Sequence, residues 1–288
     1  MKTISESDMA FNMKIKSALG LVLCAVILAG CGLKNPFKDD DRSDYTAEEY
    51  YQEAKEHLDE EEYTQAIELY QELESTYPYG QYTEQAQLEV VYAYYKNDNP
   101  EAALAAADRF IRLHPTHENV DYAYYLKGLV NYTADNTFLE TLTKGESSPD
   151  RDPRSTQEAY AAFQELVNRF PESRYAHDAR QRMAFLHNAL AMHEVHVADY
   201  YLRRQAYVAV VNRGKYVLEQ YPRTPAIEHA LGLMMLAYER MGLEDLSGDS
   251  RRVLALNYPD SPYLSGSRPA IRRDFSLIPA SLDLNPFN

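Results

Sequence analysis

Residues 63–78 read YTQAIELYQELESTYP. Tyr63, Ala66, Ile67, Tyr70 and Leu73 recur at the spacing of one buried helix face, and Pro78, which has no N–H to donate, ends the helix. The same closing returns at His114-Pro115, Phe170-Pro171, Tyr221-Pro222 and Tyr258-Pro259. Counting back from the five prolines exposes a common unit. Twelve residues before stand Ala66, Ala103, Ala159, Val210 and Ser247; eight before, Tyr70, Ala107, Phe163, Gly214 and Arg251; five before, Leu73, Phe110, Leu166, Val217 and Leu254. A small residue lets two helices approach, an aromatic plugs the gap, and the proline stops the second helix. The prolines are 37, 56, 51 and 37 residues apart, so the two middle units carry insertions. Ser247 and Arg251 leave the pattern, as befits a terminal unit that caps a stack.

This is the second half of the tetratricopeptide pattern, and it predicts an all-α, tetratricopeptide-like helix-hairpin solenoid of five helix pairs. A stack of that kind grows by adding neighbours, so 288 residues with 45% apolar content fit a rod of pairs better than one round core. A formal charge of -15 argues against a nucleic-acid binder, which needs a basic stripe. It equally rules out adhesion to anionic lipid as the main anchor. The acidic runs Asp39 to Asp44 and Glu48 to Glu62 fit either a solvated linker and helix face or a surface for a basic partner. With 25 Tyr and no Trp, the aromatic content suits half-buried positions in a thin stack, where a ring packs and a hydroxyl reaches water.

The N-terminus reads as an address. Met13 to Lys16 is a short basic region, and Ala18 to Leu28 is apolar but too short to span a bilayer. Translation from Met13, or a harmless twelve-residue extension, accounts for what precedes. Leu28-Ala29-Gly30-Cys31 resembles the lipobox of bacterial lipoproteins, in which the cysteine takes diacylglycerol before cleavage. Several acyl chains on Cys31 would tether the chain firmly, since each buried CH₂ contributes about 0.8 kcal/mol. Gly32, where aspartate favours inner-membrane retention, points to the outer membrane. Cys24 leaves with the signal, so the mature chain keeps Cys31 alone and forms no internal disulfide. The expected layout is a signal peptide over 1–30, a flexible lipid-anchored stalk over 31–44, and repeats one and two over 45–116. Repeats three to five follow over 117–259 with a loop at 134–154, and a Pro-rich tail closes the chain over 260–288.

Local signals set the helices. Thr46-Ala-Glu-Glu49 is a capping box, Ser155-Thr-Gln-Glu158 reads as another, and Asn99-Pro100 pairs an N-cap with proline at the first helical position. Arg109 and Arg112, three apart, share a face; they either form internal ion pairs or read a carboxylate or carbonyl of a ligand. Gly214 inside a helix costs roughly 1 kcal/mol relative to alanine, which predicts a close helix approach there. Beyond Pro259, prolines and serines with Arg268, Arg272 and Arg273 predict an extended or disordered tail, with docking along the solenoid or a partner as the alternative.

Chemistry is sparse. His193-Glu194-Val195-His196 approaches a zinc-protease helix but places its histidines at i and i+3, where ligation on one helix turn needs i and i+4. Phosphate loops, nucleophile elbows and CxxC pairs are absent from the sequence. No catalytic residue, metal or cofactor is expected, and the chain reads as a non-enzyme.

Several stretches resemble the BamD lipoprotein family: Tyr77 to Tyr82, Tyr92 to Asn97, Asp108 to Leu113 with Pro115 to His117, the loop Asp150 to Pro153, and Val208 to Arg213. With the lipobox they reach from Cys31 to about Asn257. The resemblance implies five tetratricopeptide pairs on the periplasmic face of the outer membrane. It also implies binding to the POTRA region of BamA and to other Bam lipoproteins, and recognition of unfolded outer-membrane proteins. It further implies that repeats one and two read a client's C-terminal strand, with Tyr77 and Arg112 at matching positions. By the same resemblance later repeats face BamA, with Arg213 at a contact position. The expected site is a groove of the first helices of the early pairs, in which Arg109 or Arg112 balances a terminal carboxylate and tyrosines cover an aromatic ring. A different periplasmic repeat adaptor, serving cell-wall or division proteins, uses the same solenoid physics.

Overall fold

Thr46 starts the first helix. In the computed structural model, which describes residues 42, 44–134, 152–269 and 271, the Glu49 N–H donates to the Thr46 hydroxyl at 3.3 Å. The Thr46 N–H in turn donates to the Glu49 carboxylate at 2.8 Å. Those bonds hold the Glu49 carboxyl below its ordinary pKa. Ten helices follow among the described residues, with no strand: α1 Ala47–Asp59, α2 Tyr63–Thr76, α3 Gln81–Lys96, α4 Pro100–Leu113 and α5 Val120–Ala134. The second half is α6 Arg154–Arg169, α7 Ala176–Arg203, α8 Tyr207–Gln220, α9 Ala226–Arg240 and α10 Glu244–Asn257. Each packs on the helix before and the helix after it, and α1 on α3, α3 on α5 and α7 on α9 join the first helices of successive pairs. That neighbour-only packing is solenoid packing.

The spacing counted from the prolines maps onto burial. Ala66, Ala103, Ala159 and Val210 are fully buried, and so are Leu73, Phe110, Leu166, Val217 and Leu254, the last pair included. All five closings share one geometry. The N–H of the residue before proline donates to the carbonyl four residues back, from Tyr77 to Leu73, His114 to Phe110, Phe170 to Leu166, Tyr221 to Val217 and Tyr258 to Leu254, at 2.7–3.0 Å. The chain then leaves with the more extended backbone that a following proline imposes.

The turns inside the pairs form a second shared device. Glu61, Asp98, Gln205 and Gly242 all have positive φ, between 55 and 73°. The next N–H in each case reaches the carbonyl five residues back, Glu62 to His57, Asn99 to Tyr94, Ala206 to Tyr201 and Leu243 to Tyr238. This is the Schellman closure, and three of the four positions hold a residue other than glycine.

Close approach explains the helix glycines. A Cβ on Gly214 would sit 2.4 Å from Met234 Cγ of α9, and one on Gly128 equally close to Phe163. The longest element, α7, has 28 residues and spans about 42 Å. Its residues up to Ala189 join a core with α3 to α6, and those from Leu190 join a second core with α8 to α10.

Two expectations are corrected. The box at Ser155 does not form, because α6 begins one residue earlier at Arg154 with Pro153 as its N-cap, and Asp152 accepts the Arg154 N–H instead. The first part of the tail is not extended: Pro262–Ser265 makes a 3-10 turn that buries Tyr263 in the second core. The signal over 1–30, Cys31, the stalk apart from Arg42 and Asp44, loop residues 135–151, Ala270 and residues 272–288 lie outside the described residues. No described helix is long and apolar enough to cross a membrane.

Candidate binding surfaces

The early groove lies where α2, α3 and α4 converge. Gln71, Glu74, Ser75, Pro78, Tyr79, Gln87, Arg109 and Leu113 line a space of about 470 Å³. Arg109 Nη1 donates to Glu74 Oε2 at 3.0 Å and Nη2 contacts Oε1, a fork-to-fork pair. Gln87 donates to the same carboxylate at 2.6 Å, and its own carbonyl oxygen lies 2.7 Å from His114 Nε2. Arg109 therefore makes the internal ion pair, while its side chain stays half exposed. Arg112 is exposed, has no ion-pair partner among the described residues and does not line the groove. Tyr77 packs edge-on against Tyr50 with ring centroids 6.5 Å apart. Its neighbour Tyr79, 91% exposed, supplies the open ring at the rim.

This space takes in the second helices α2 and α4 as well as the first helix α3. Between α1, α2 and α3, Glu89 accepts the hydroxyls of Tyr51 at 2.8 Å and Tyr70 at 2.6 Å and the Gln85 amide at 2.9 Å, with Lys55 at 3.9 Å. Tyr82 leans on Tyr51 at 5.6 Å. Burial first, then the Glu89 charge, pushes the Tyr51 and Tyr70 phenols well above their ordinary range. These tyrosines fasten pair one to pair two.

A larger space of about 640 Å³ opens between α6, α7 and α8, lined by Asp152, Pro153, Gln157, His193, Glu194, Val197, Tyr200, Tyr201, Arg213 and Tyr216. It brings together the end of the Asp150 to Pro153 stretch and Arg213 of the Val208 to Arg213 stretch. Arg213 Nη1 donates to Glu194 Oε2 at 2.8 Å, so the glutamate that a zinc site would use as a base is tied up. Burial pushes the His193 imidazole down, Arg213 adds to that and Glu194 opposes it. Among the described residues, the three-ligand grouping close enough to share an ion is His57, Glu60 and Glu62, not His193 and His196.

One polar residue escaped the reading from sequence. Arg182, 1% exposed, donates from Nε to Asp178 at 2.6 Å. Tyr125 donates to the same oxygen at 2.7 Å, and the guanidinium lies 5.1 Å from the Tyr132 ring. This knot ties α5 to α7. Its signal was in the periodicity, since Arg182 falls on the buried face with Ala179, Leu186 and Ala189.

Residues 43–254 match the family described as YfiO: Outer membrane lipoprotein. The chain is 44% identical over 253 residues to the Outer membrane protein assembly factor BamD of Neisseria meningitidis serogroup A, covering 87% of this chain and 94% of that protein. It is 39% identical over 245 residues to the protein of that name from Vibrio cholerae, covering 85% and 99%, and 36% identical over 244 residues to that of Haemophilus influenzae, covering 85% and 91%.

Proposed function

The chain belongs to the BamD family of outer membrane lipoproteins, and on that premise we propose that it is a lipid-anchored periplasmic scaffold of the β-barrel assembly machinery. It is an outer membrane protein assembly factor and not an enzyme. The observation that carries the reading is the 44% identity to an assembly factor over nearly the whole of both chains. In this reading Cys31 carries the acyl anchor and the stack stands on the periplasmic face of the outer membrane.

The two surfaces divide the labour. The early groove, with Arg109, Tyr79 and Leu113, receives a client's C-terminal segment, and Tyr77 and Arg112 flank it. The later space, with Arg213 half exposed at its mouth, receives the POTRA region of BamA. Arg109 and Arg213 are each paired with a more buried glutamate, Glu74 and Glu194, and stay half exposed, so each guanidinium keeps N–H groups with which to donate to a partner's carboxylate or carbonyl without giving up its own pair.

Depletion tests this. Outer-membrane barrels should fall while unrelated lipoproteins stay constant, and unchanged barrel levels would sink the reading. Cys31→Ser should move the protein to the soluble periplasmic fraction; continued membrane residence would remove the lipid as its sole tether.

A further inference from the structure

After α10 the chain turns back across the first helices of the last two pairs. Tyr263 inserts against α9, where its ring lies 2.3 Å from the place a Cβ on Gly232 would occupy. Glycine inside a helix is unfavourable, and here it leaves a slot shaped for a ring. The Tyr263 hydroxyl sits 3.2 Å from His229 Nδ1, and Arg251 of α10 donates to the Leu264 carbonyl at 2.8 Å. Gly266, in the left-handed region at φ 78°, redirects the strap. Arg268 then pairs with Asp199 on α7, a carboxylate largely shielded from solvent, and Ile271 rests on the second core.

The strap fits imperfectly. Ser261 Oγ is buried without a hydrogen-bond partner, and a buried hydroxyl left unpaired weakens the segment that carries it. Its only regular structure is one short 3-10 turn. The slot and the carboxylate, by contrast, are built on two long helices.

We propose that the inner face of pairs four and five, from Gly232 and His229 of α9 to Asp199 of α7, is a peptide-binding groove. Residues 261–269, with Ile271, are its resident and displaceable occupant. The ligand is an extended segment of a partner protein that places an aromatic ring in the Gly232 slot and a basic side chain, five positions on, at Asp199. The chain's charge of -15 favours such a basic segment. The groove is separate from both surfaces discussed above and does not rest on the client reading.

The probe is a fluorescein-labelled synthetic peptide of residues 259–271, titrated by anisotropy against the full-length protein in detergent micelles. The variant Tyr263→Ala with Arg268→Glu, which frees the groove, should bind it at least tenfold more tightly than the unaltered protein. Adding Gly232→Val should abolish that gain, and a probe with alanine at its tyrosine position should bind at least tenfold more weakly. In the unaltered protein the amides of Gly266 and Ser267 should exchange at least tenfold faster than those inside α9. Equal affinity for the freed and unaltered proteins overturns the proposal. So does binding that survives Gly232→Val, or loss of helical ellipticity in the freed variant, which would make the strap part of the fold. Exchange of the strap amides as slow as that of α9 overturns it too.

Discussion

Two polar knots hold this stack, and they are built in opposite senses. Between pairs one and two an acid sits at the centre, with Glu89 accepting from two tyrosine hydroxyls and a glutamine. Between pairs three and four a base sits at the centre, with Arg182 capped by Asp178 and lying over the Tyr132 ring. Tyrosine serves both, because its hydroxyl donates to an anion while its negative ring face hosts a cation. Both knots draw on the chain's 25 tyrosines. The knots also differ in exposure: the Glu89 side chain is 14% exposed and that of Arg182 only 1%.

The deeper knot should be the more costly to cut. Arg182→Ala should destabilise the protein by about 3 kcal/mol in denaturant unfolding, because it leaves the Asp178 carboxylate without its cation and opens a void. Arg182→Met, which keeps the volume, should recover more than half of that loss; an equal loss would show that packing is not what the arginine adds. Glu89→Ala should cost about 2 kcal/mol, since it orphans two tyrosine hydroxyls that still have some access to water. The Tyr51 and Tyr70 phenols are raised in the folded state. Their contribution is therefore intact below the ordinary phenol pKa of about 10 and is lost as pH rises beyond it. Unfolding followed upward from pH 9 should show that loss, and a slope unchanged by Glu89→Ala would separate the shift from the knot.

A smaller effect distinguishes the turns from the knots. Gln205→Gly should raise stability by about 0.5 to 1 kcal/mol, because glycine adopts positive φ without strain. Gly242→Ala should lose a similar amount at the equivalent turn of the last pair. A Gln205→Gly protein no more stable than its parent would mean that the glutamine side chain makes up the difference.

The prolines, the small residue twelve before and the apolar residue five before were enough to place the helix pairs, because steric rules at proline act within a few residues. The inner turns were hidden. Glu61, Asp98 and Gln205 carry none of the glycine signal a Schellman closure normally shows, and the helices on either side force them into the left-handed region. The box at Ser155 fails for a related reason: the chain can start α6 on Pro153, and Asp152 is already in place to accept. At the site, spacing put Arg109 and Arg112 on one face but could not show that Glu74, on another helix, holds Arg109. Tyr263 was illegible among prolines and serines because its partner, Gly232, lies a helix away and reads on its own as a weak spot.

One unbroken helix, α7, belongs to both cores. It contains neither proline nor glycine, the usual causes of a kink, so swivelling the front of the molecule against the back would mean flexing a stiff rod about 42 Å long. The two cores at its ends are consequently kept at a set separation, like the jaws of a locked caliper.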